Sequence, residues 1–461
     1  MVRVFMDGET FTAEIGERLS DVLIRAGVEI SMPCGGRGTC GKCRVTVDGR
    51  QELACRYILS SDVSLELPQQ EDVVSPTPVP RTTRLPAQTA LALDLGTTTL
   101  ALALVSAEDG QAVRIVTRTN PQRAFGADVM SRIAYCREHG VRLLQSTVVT
   151  AIGEMLCELD APEVQTLYVA GNTTMLHLLF GADPSDMGVF PYTPVFLESR
   201  TASGESLGLS GVGSVISLPS ASAFVGADLT AGLNEIGLPP QGKYRLLVDL
   251  GTNAEIVLFS REAALCTAAA AGPCFEGTGI SCGMSASAGA ICAYSAEGYR
   301  TVGDAPAAGI CGTGLVDAIA HLVRNGTIDQ TGYMECGTVE LAPGVTLTQK
   351  DVRQVQLAKS AVCAAIRTLM KKQNVRMDDV EVLYVAGGFS VRIDLDNAAE
   401  IGLLPPELRT KCVALGNSSL AGTIRYACEK NDLSPYLDPM RYVDLAADPY
   451  FSELFMDNMT F

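Results

Sequence analysis

Cys34, Cys40, Cys43 and Cys55 stand within 22 residues at the spacing C-x5-C-x2-C-x11-C, and the first three share the run Pro-Cys-Gly-Gly-Arg-Gly-Thr-Cys-Gly-Lys-Cys. Thiolates are soft donors, and three close ones followed by a fourth suit a loop wound around an iron-sulfur cluster. Gly35, Gly36, Gly38 and Gly41 let the backbone approach inorganic sulfide and turn N–H groups toward it. A zinc knuckle would use the same donors, though commonly as two short C-x2-4-C pairs, and a disulfide cluster is a further alternative.

A second pattern is repeated. Leu91–Val105, with Asp94-Leu-Gly-Thr-Thr-Thr, aligns with Leu246–Ser260, with Asp249-Leu-Gly-Thr-Asn. Each copy reads as a strand, a tight turn and a returning strand. Further along, Tyr168-Val-Ala-Gly-Asn-Thr-Thr-Met pairs with Tyr384-Val-Ala-Gly-Gly-Phe-Ser-Val. Turns of this kind offer backbone N–H groups and hydroxyls to phosphate, here from Gly96, Thr97, Thr98 and Thr99 and from Gly251, Thr252 and Asn253. Asp94 and Asp249 can hold Mg2+ directly or through its waters. Two copies of one α/β subdomain facing each other would clamp a triphosphate in the cleft between them.

The elements that must position these groups are legible in outline. Val2-Arg-Val-Phe-Met and Thr10-Phe-Thr-Ala-Glu flank Asp7-Gly8 as a hairpin. Leu19, Val22, Leu23 and Ala26 recur at helical spacing, and Gly27 stops the helix. The strands Cys43–Val47 and Val63–Leu67 follow the cysteine loop, completing a β-grasp order, and the early fourth cysteine puts the cluster near the domain surface. Residues 68–88 hold repeated prolines among polar residues; they read as an extended linker, either a tether on which the first domain swings or a passive spacer. The domains are therefore expected at 1–67, 89–243 and 244–461.

Composition narrows the partners. A net charge of -17 and a pI near 4.7 argue against nucleic acid and anionic membrane. The amino terminus lacks a signal-peptide pattern and no long apolar run follows, which predicts a cytoplasmic protein. The other cysteines are dispersed in apolar sequence, as free thiols of a reducing, anaerobic cell would be.

The cysteine loop resembles that of [2Fe-2S] ferredoxins, and the duplicated turns with Gly387-Gly388 resemble the ribonuclease H-like ATPase core of the actin, sugar kinase and Hsp70 superfamily. That second resemblance implies Asp94–Thr99 and Asp249–Asn253 as phosphate motifs, and Gly387 and Gly388 as the adenosine motif. Joined on one chain, the two resemble the ATP-dependent reductive activators of corrinoid proteins. Asn120–Val129, Phe224–Asp228, Ala271–Ile280, Gly309–Asp317 and Leu415–Gly422 carry the same likeness over nearly the whole length. Members of that family often hold a further small domain before the core, for which the 21 linker residues leave no room.

The resemblance implies a [2Fe-2S] cluster, ATP and Mg2+ as cofactors, a corrinoid protein and a low-potential electron donor as partners, and leaves a homodimer open. The reaction would return inactive Co(II) to Co(I) by one electron, driven by ATP binding and hydrolysis. An activator of the 2-hydroxyacyl-CoA dehydratase type, a nucleotide-binding redox sensor and a small-molecule kinase are the competing readings.

Individual residues divide between chemistry and structure. Asn172 either orients the attacking water or caps the apolar helix that follows, and the cap is favoured. Glu276 reaches adenosine or Mg2+, or satisfies loop N–H groups. Cys274, Cys282, Cys292 and Cys311 are too irregularly spaced for a second cluster. His139, His177 and His321 are scattered. Thr348-x-x-Asp351 opens a helix to about Lys372, with Val352, Val355, Ala358 and Val362 as its core stripe.

Overall fold

The computed structural model describes residues 1–6, 9–26, 28, 38, 43–67, 89–161, 164–388 and 390–461. The Asp7-Gly8 turn, Gly27, Cys34, Cys40 with most of their loop, and the linker 68–88 lie outside the described residues.

The amino-terminal unit comprises β1 (Val2–Met6), β2 (Glu9–Ala13), α1 (Leu19–Arg25), β3 (Arg44–Val47), β4 (Arg50–Leu53) and β5 (Val63–Glu66). Its sheet runs β2-β1-β5-β3-β4, with β1 and β5 parallel. Val2, Val4 and Met6 alternate inward under Leu19, Val22 and Leu23 of α1, which gives the β-grasp core its apolar face. Strand β4 escapes a reading of apolar alternation because its residues are largely exposed. The signal for it was the turn: Asp48-Gly49, both at positive φ, joins β3 to β4.

The core is two copies of one sheet. The first half holds β6 (Thr89–Leu95), β7 (Thr99–Ser106), β8 (Ala112–Thr119), α2 (Val129–His139), α3 (Arg142–Glu158), β9 (Val164–Gly171), α4 (Thr173–Phe180), β10 (Thr201–Ser203), α5 (Gly204–Leu207), β11 (Val212–Ser217) and α6 (Ala227–Ile236). The second half opens with β12 (Tyr244–Leu250), β13 (Ala254–Phe259), β14 (Ala264–Ala269), β15 (Ala290–Ser295), β16 (Gly298–Thr301), β17 (Gly309–Ile310), α7 (Gly312–Arg324), β18 (Thr338–Ala342), β19 (Val345–Thr348) and α8 (Gln349–Gln373). It continues through β20 (Val380–Ala386), α9 (Leu395–Glu400), β21 (Cys412–Gly416), α10 (Ser418–Glu429), α11 (Ser434–Leu437), β22 (Met440–Tyr442) and α12 (Pro449–Asp457).

Strand order β11-β9-β6-β7-β8 in one sheet matches β21-β20-β12-β13-β14 in the other. In both copies the first strand of the turn pairs parallel with the later strand, β6 with β9 and β12 with β20, and antiparallel with the returning one. Their long apolar runs are buried on both faces, as strands covered by helices on each side must be. The Thr348 capping box forms with Asp351, and Val352, Val355, Ala358 and Val362 of α8 are buried.

Spatial halves and sequence halves differ where helices cross over: Leu229 and Leu233 of α6 pack with Leu247, Val257 and Phe259 of the second sheet. Helix α10, from the carboxy-terminal part of the chain, lies on β6, β7 and β9 of the first sheet and against α6. Gly422 makes that approach available: a Cβ there would stand 1.8 Å from the Ala231 carbonyl oxygen.

Candidate functional site: a thiol pair and a two-loop cleft

Cys43 and Cys55 converge in the amino-terminal unit. Their Sγ atoms lie 3.2 Å apart, too far for a disulfide, and both residues are buried, at 2% and 3% exposure. They reach one another because β3 and the turn after β4 are neighbours: the Ala54 N–H donates to the Cys43 carbonyl at 2.9 Å. Two convergent soft donors fit a shared metal centre.

The cleft between the core halves has a volume of about 1340 Å³ and is lined by both Gly-Thr turns, by Asn172 and Glu276, and by Gly387 and Gly388. Each turn is tight: Gly96 N–H donates to the Thr99 carbonyl at 3.1 Å, and Gly251 N–H to the Asn253 carbonyl at 3.2 Å. Asn172 is the N-cap of α4, its Oδ1 accepting from Met175 N–H at 2.9 Å; its Nδ2 donates to the Thr97 hydroxyl at 2.8 Å. The cap is present, and the same side chain also steadies the first turn. Glu276 plays the matching part in the second half, accepting from the Thr252 hydroxyl at 2.9 Å. Gly387 is at φ +104 with its Cα packed over the second turn, where a Cβ would stand 2.3 Å from the Leu250 carbonyl.

Among the carboxyls that line this space, Asp94, Asp249, Asp228 on the first turn of α6, and Glu255 act on one another through their charges. Burial and then mutual repulsion push Asp249 up to about 7, and burial first drives Asp94, Asp228 and Glu255 upward as well. Asp94 is kept from rising further by Ser419 and Asn417, whose Oγ and Nδ2 each donate to it at 2.8 Å. Hard oxygen donors that repel one another attract a divalent cation, but among the described residues no three of them are grouped to hold one directly, so Mg2+ here would keep waters in its shell.

Asp228, Glu255, Asn417 and Ser419 escape an ungapped reading of the repeat. Leu95 pairs with Leu100 across the first turn, but Leu250 pairs with Ala254 across the second, which closes one residue sooner. The shorter turn sets Glu255 opposite Asp249, where Ala101 stands opposite Asp94.

Family models extend these observations over the chain. The middle region of RACo matches residues 89–241, the C-terminal ASKHA domain of RACo matches 243–461, and a 2Fe-2S iron-sulfur cluster binding domain matches 4–67. The chain belongs to the RACo family. A solved RACo structure, the reductive activator for corrinoid, iron-sulfur protein, superposes with a TM-score of 0.72 at 27% identity, covering 100% of this chain and 98% of that one. The corrinoid activation enzyme RamQ of Eubacterium limosum is 27% identical over 96% of each chain. The [Co(II) methylated amine-specific corrinoid protein] reductase of Methanosarcina barkeri is 28% identical over 76% of this chain and 71% of its own.

The remaining candidates are structural in this RACo member. His177 is buried, its Nδ1–H donating to the Thr173 carbonyl at 2.7 Å and its Nε2 accepting from Val195 N–H at 3.0 Å, while His139 and His321 lie elsewhere. Burial pushes the Cys274 thiol up to about 12, which leaves it inert. Cys282, Cys292 and Cys311 join no metal-binding group among the described residues. Among those residues, too, no helix is long and apolar enough to cross a membrane.

Proposed function

We propose that this chain reactivates a corrinoid protein, returning Co(II) to Co(I) in an ATP-dependent reduction through its iron-sulfur domain. The observation that carries this reading is the joining, in one RACo-family chain, of a convergent buried thiol pair to a cleft built from two phosphate-type turns. Cys34, Cys40, Cys43 and Cys55 are the ligands of a [2Fe-2S] cluster in this proposal, and the cluster supplies a one-electron carrier. Residues 1–67 form its domain, 68–88 the linker, and 89–243 and 244–461 the sequence halves of the ATPase core.

In the cleft, Gly96–Thr99 and Gly251–Asn253 offer N–H groups and hydroxyls to the phosphates of ATP. Asp94 and Asp249 hold Mg2+, with Asp228 and Glu255 close by. Gly387 and Gly388 meet the adenosine. Asn172 and Glu276 keep Thr97 and Thr252 in place through the hydrogen bonds described above. ATP can drive the reduction only by binding one closure state of the halves more tightly than the other. A low-potential donor and a second copy of the chain are the remaining partners of this reading, and its setting is the cytoplasm.

The test is anaerobic reduction of a Co(II) corrinoid protein, with Co(I) trapped by methylation. Reduction is expected only with ATP. Cys43→Ala should lose it while still hydrolysing ATP, and Asp249→Ala should lose it while keeping a reducible cluster. Equal reduction without nucleotide would refute the coupling.

A further inference from the structure

The cleft presents a problem to its own ligand. Asp94, Asp228, Asp249 and Glu255 line it, so a polyphosphate enters among acidic groups that offer it no positive charge. Two arginines of the core line the cavity, Arg123 and Arg392. Arg392 is exposed, beyond the Gly387-Gly388 turn. Arg123 is placed against the phosphate end. It lies in the short 3-10 turn Pro121–Ala124, which is bonded directly to the first Gly-Thr turn. Asn120 N–H donates to the Thr98 carbonyl at 2.8 Å, and Asn120 Nδ2 donates to the Gly96 carbonyl at 2.8 Å.

The inward residue of that short turn is Gln122, fully buried and donating to the Leu144 carbonyl at 2.8 Å. Beneath it Arg132, also fully buried, donates to the Thr97 carbonyl at 2.6 Å and to the Gly126 carbonyl at 3.0 Å. Gln122 and Arg132 are thus committed to holding the loop. Arg123, next to Gln122, lines the cavity instead, half-buried, and its guanidinium has no hydrogen-bond or ion-pair partner among the described residues. Its N–H donors face the cavity with no protein acceptor and are free to meet the oxygens of a ligand. Its charge is also felt in the other half: burial raises the Glu276 carboxyl, and Arg123 opposes that rise after the Thr252 hydrogen bond.

We propose that Arg123 binds the terminal phosphate of ATP and stabilises the charge that develops on it during hydrolysis. The proposal rests on the ATP reading of the cleft and adds the residue that meets the transferred group. In the step, a water oxygen bonds to the γ-phosphorus as the bond to the β–γ bridging oxygen breaks. The bonding electron pair stays with ADP, and the water proton passes to solvent, giving ADP, inorganic phosphate and H+. Arg123 exchanges no proton; it directs paired N–H donors at oxygens whose charge is redistributed in the transition state.

The full-length protein carries the test, with Arg123→Ala, Arg123→Lys and Asp249→Asn compared with the parent for ATP turnover and for equilibrium binding of ADP and of a non-hydrolysable ATP analogue. Arg123→Ala should lose about 100-fold or more in kcat. Its affinity for the ATP analogue should fall about tenfold, while ADP, which lacks the terminal group, binds within about threefold of the parent. Arg123→Lys should recover only a small part of kcat, because an ammonium lacks the planar fork. A kcat within about threefold of the parent in Arg123→Ala, or equal losses for ADP and the ATP analogue, would overturn the proposal. Turnover that needs Asp249 but not Arg123 sinks this assignment alone. A parent chain with no ATP turnover sinks the nucleotide reading and this proposal with it. Should the alanine variant fail to fold, the lysine variant decides by the same ratio of ADP to analogue binding.

Discussion

Replacing Ser419 by alanine isolates one determinant of the ATP site. The Ser419 hydroxyl donates to Asp94 at 2.8 Å from a residue that is only 4% exposed. A hydrogen bond to an ionised group contributes about 1.5–3 kcal/mol, which corresponds to roughly one to two pKa units. Asp94 opens on the solvent of the cleft and keeps its bond from Asn417, so the lower end applies, about one unit. The donor favours the charged carboxylate; its removal therefore raises further a carboxyl that burial has already raised. With Asp94 needed in its ionised form, the acidic limb of ATP turnover should move about one unit toward higher pH in Ser419→Ala. Turnover on that limb falls about tenfold, and well above it the variant matches the parent. Phosphate release measured at saturating ATP across the limb, with the cluster spectrum as a control for folding, reads the shift. An unmoved limb in a folded variant would refute the reasoning, and a uniform loss at every pH would show that Ser419 acts by another route.

Cys43→Ala should abolish the visible absorption of the anaerobically purified protein, and an unchanged spectrum would remove Cys43 from the ligand set. Gly422→Val drives a Cβ into the Ala231 carbonyl and should destabilise the core by roughly 1–3 kcal/mol in denaturant unfolding; an unchanged midpoint would mean that α6 and α10 part without cost. Asp249, at about 7 when folded against 3.8 for the free side chain, costs the nucleotide-free fold stability as pH rises between those values, because the folded state holds its proton longer. Thermal unfolding should accordingly weaken less from about pH 5 to about pH 8 in Asp249→Asn than in the parent, and Mg2+ should restore more stability to the parent at the upper end. Parallel curves for the two proteins would contradict the shift.

What could be read from the chain was local. The strand-turn-strand repeats, the Thr348-Asp351 box and the apolar stripe of α1 are patterns within a dozen residues, and periodicity captures those. Asn417 and Ser419 reach Asp94 across 323 and 325 residues, a separation at which no pattern links donor and acceptor. Glu255 was hidden differently: a turn shorter by one residue reversed which side of β13 faces Asp249, and only the register reveals that. His177 carries a chemically suggestive side chain, but its two ring nitrogens are used on Thr173 and Val195, a fact of packing alone.

The return of α10 to the first sheet sets an order of events during synthesis. Ala92, Ala101, Ala103 and Val105 form a small-residue face of that sheet, and Leu420, Ile424 and Cys428 of α10 cover it. Tyr426 of the same helix meets Tyr168 at 5.7 Å between ring centroids. When residue 243 leaves the ribosome, the first half therefore still lacks its lid, and nothing nearer than residue 418 supplies it. The second sheet, encoded almost entirely between the two, is made in the meantime. The nascent first half waits with an apolar face open, a state in which such faces recruit chaperones or one another. A fragment ending at residue 243 would be held in that state permanently, so the two halves of the ATPase mature together or not at all.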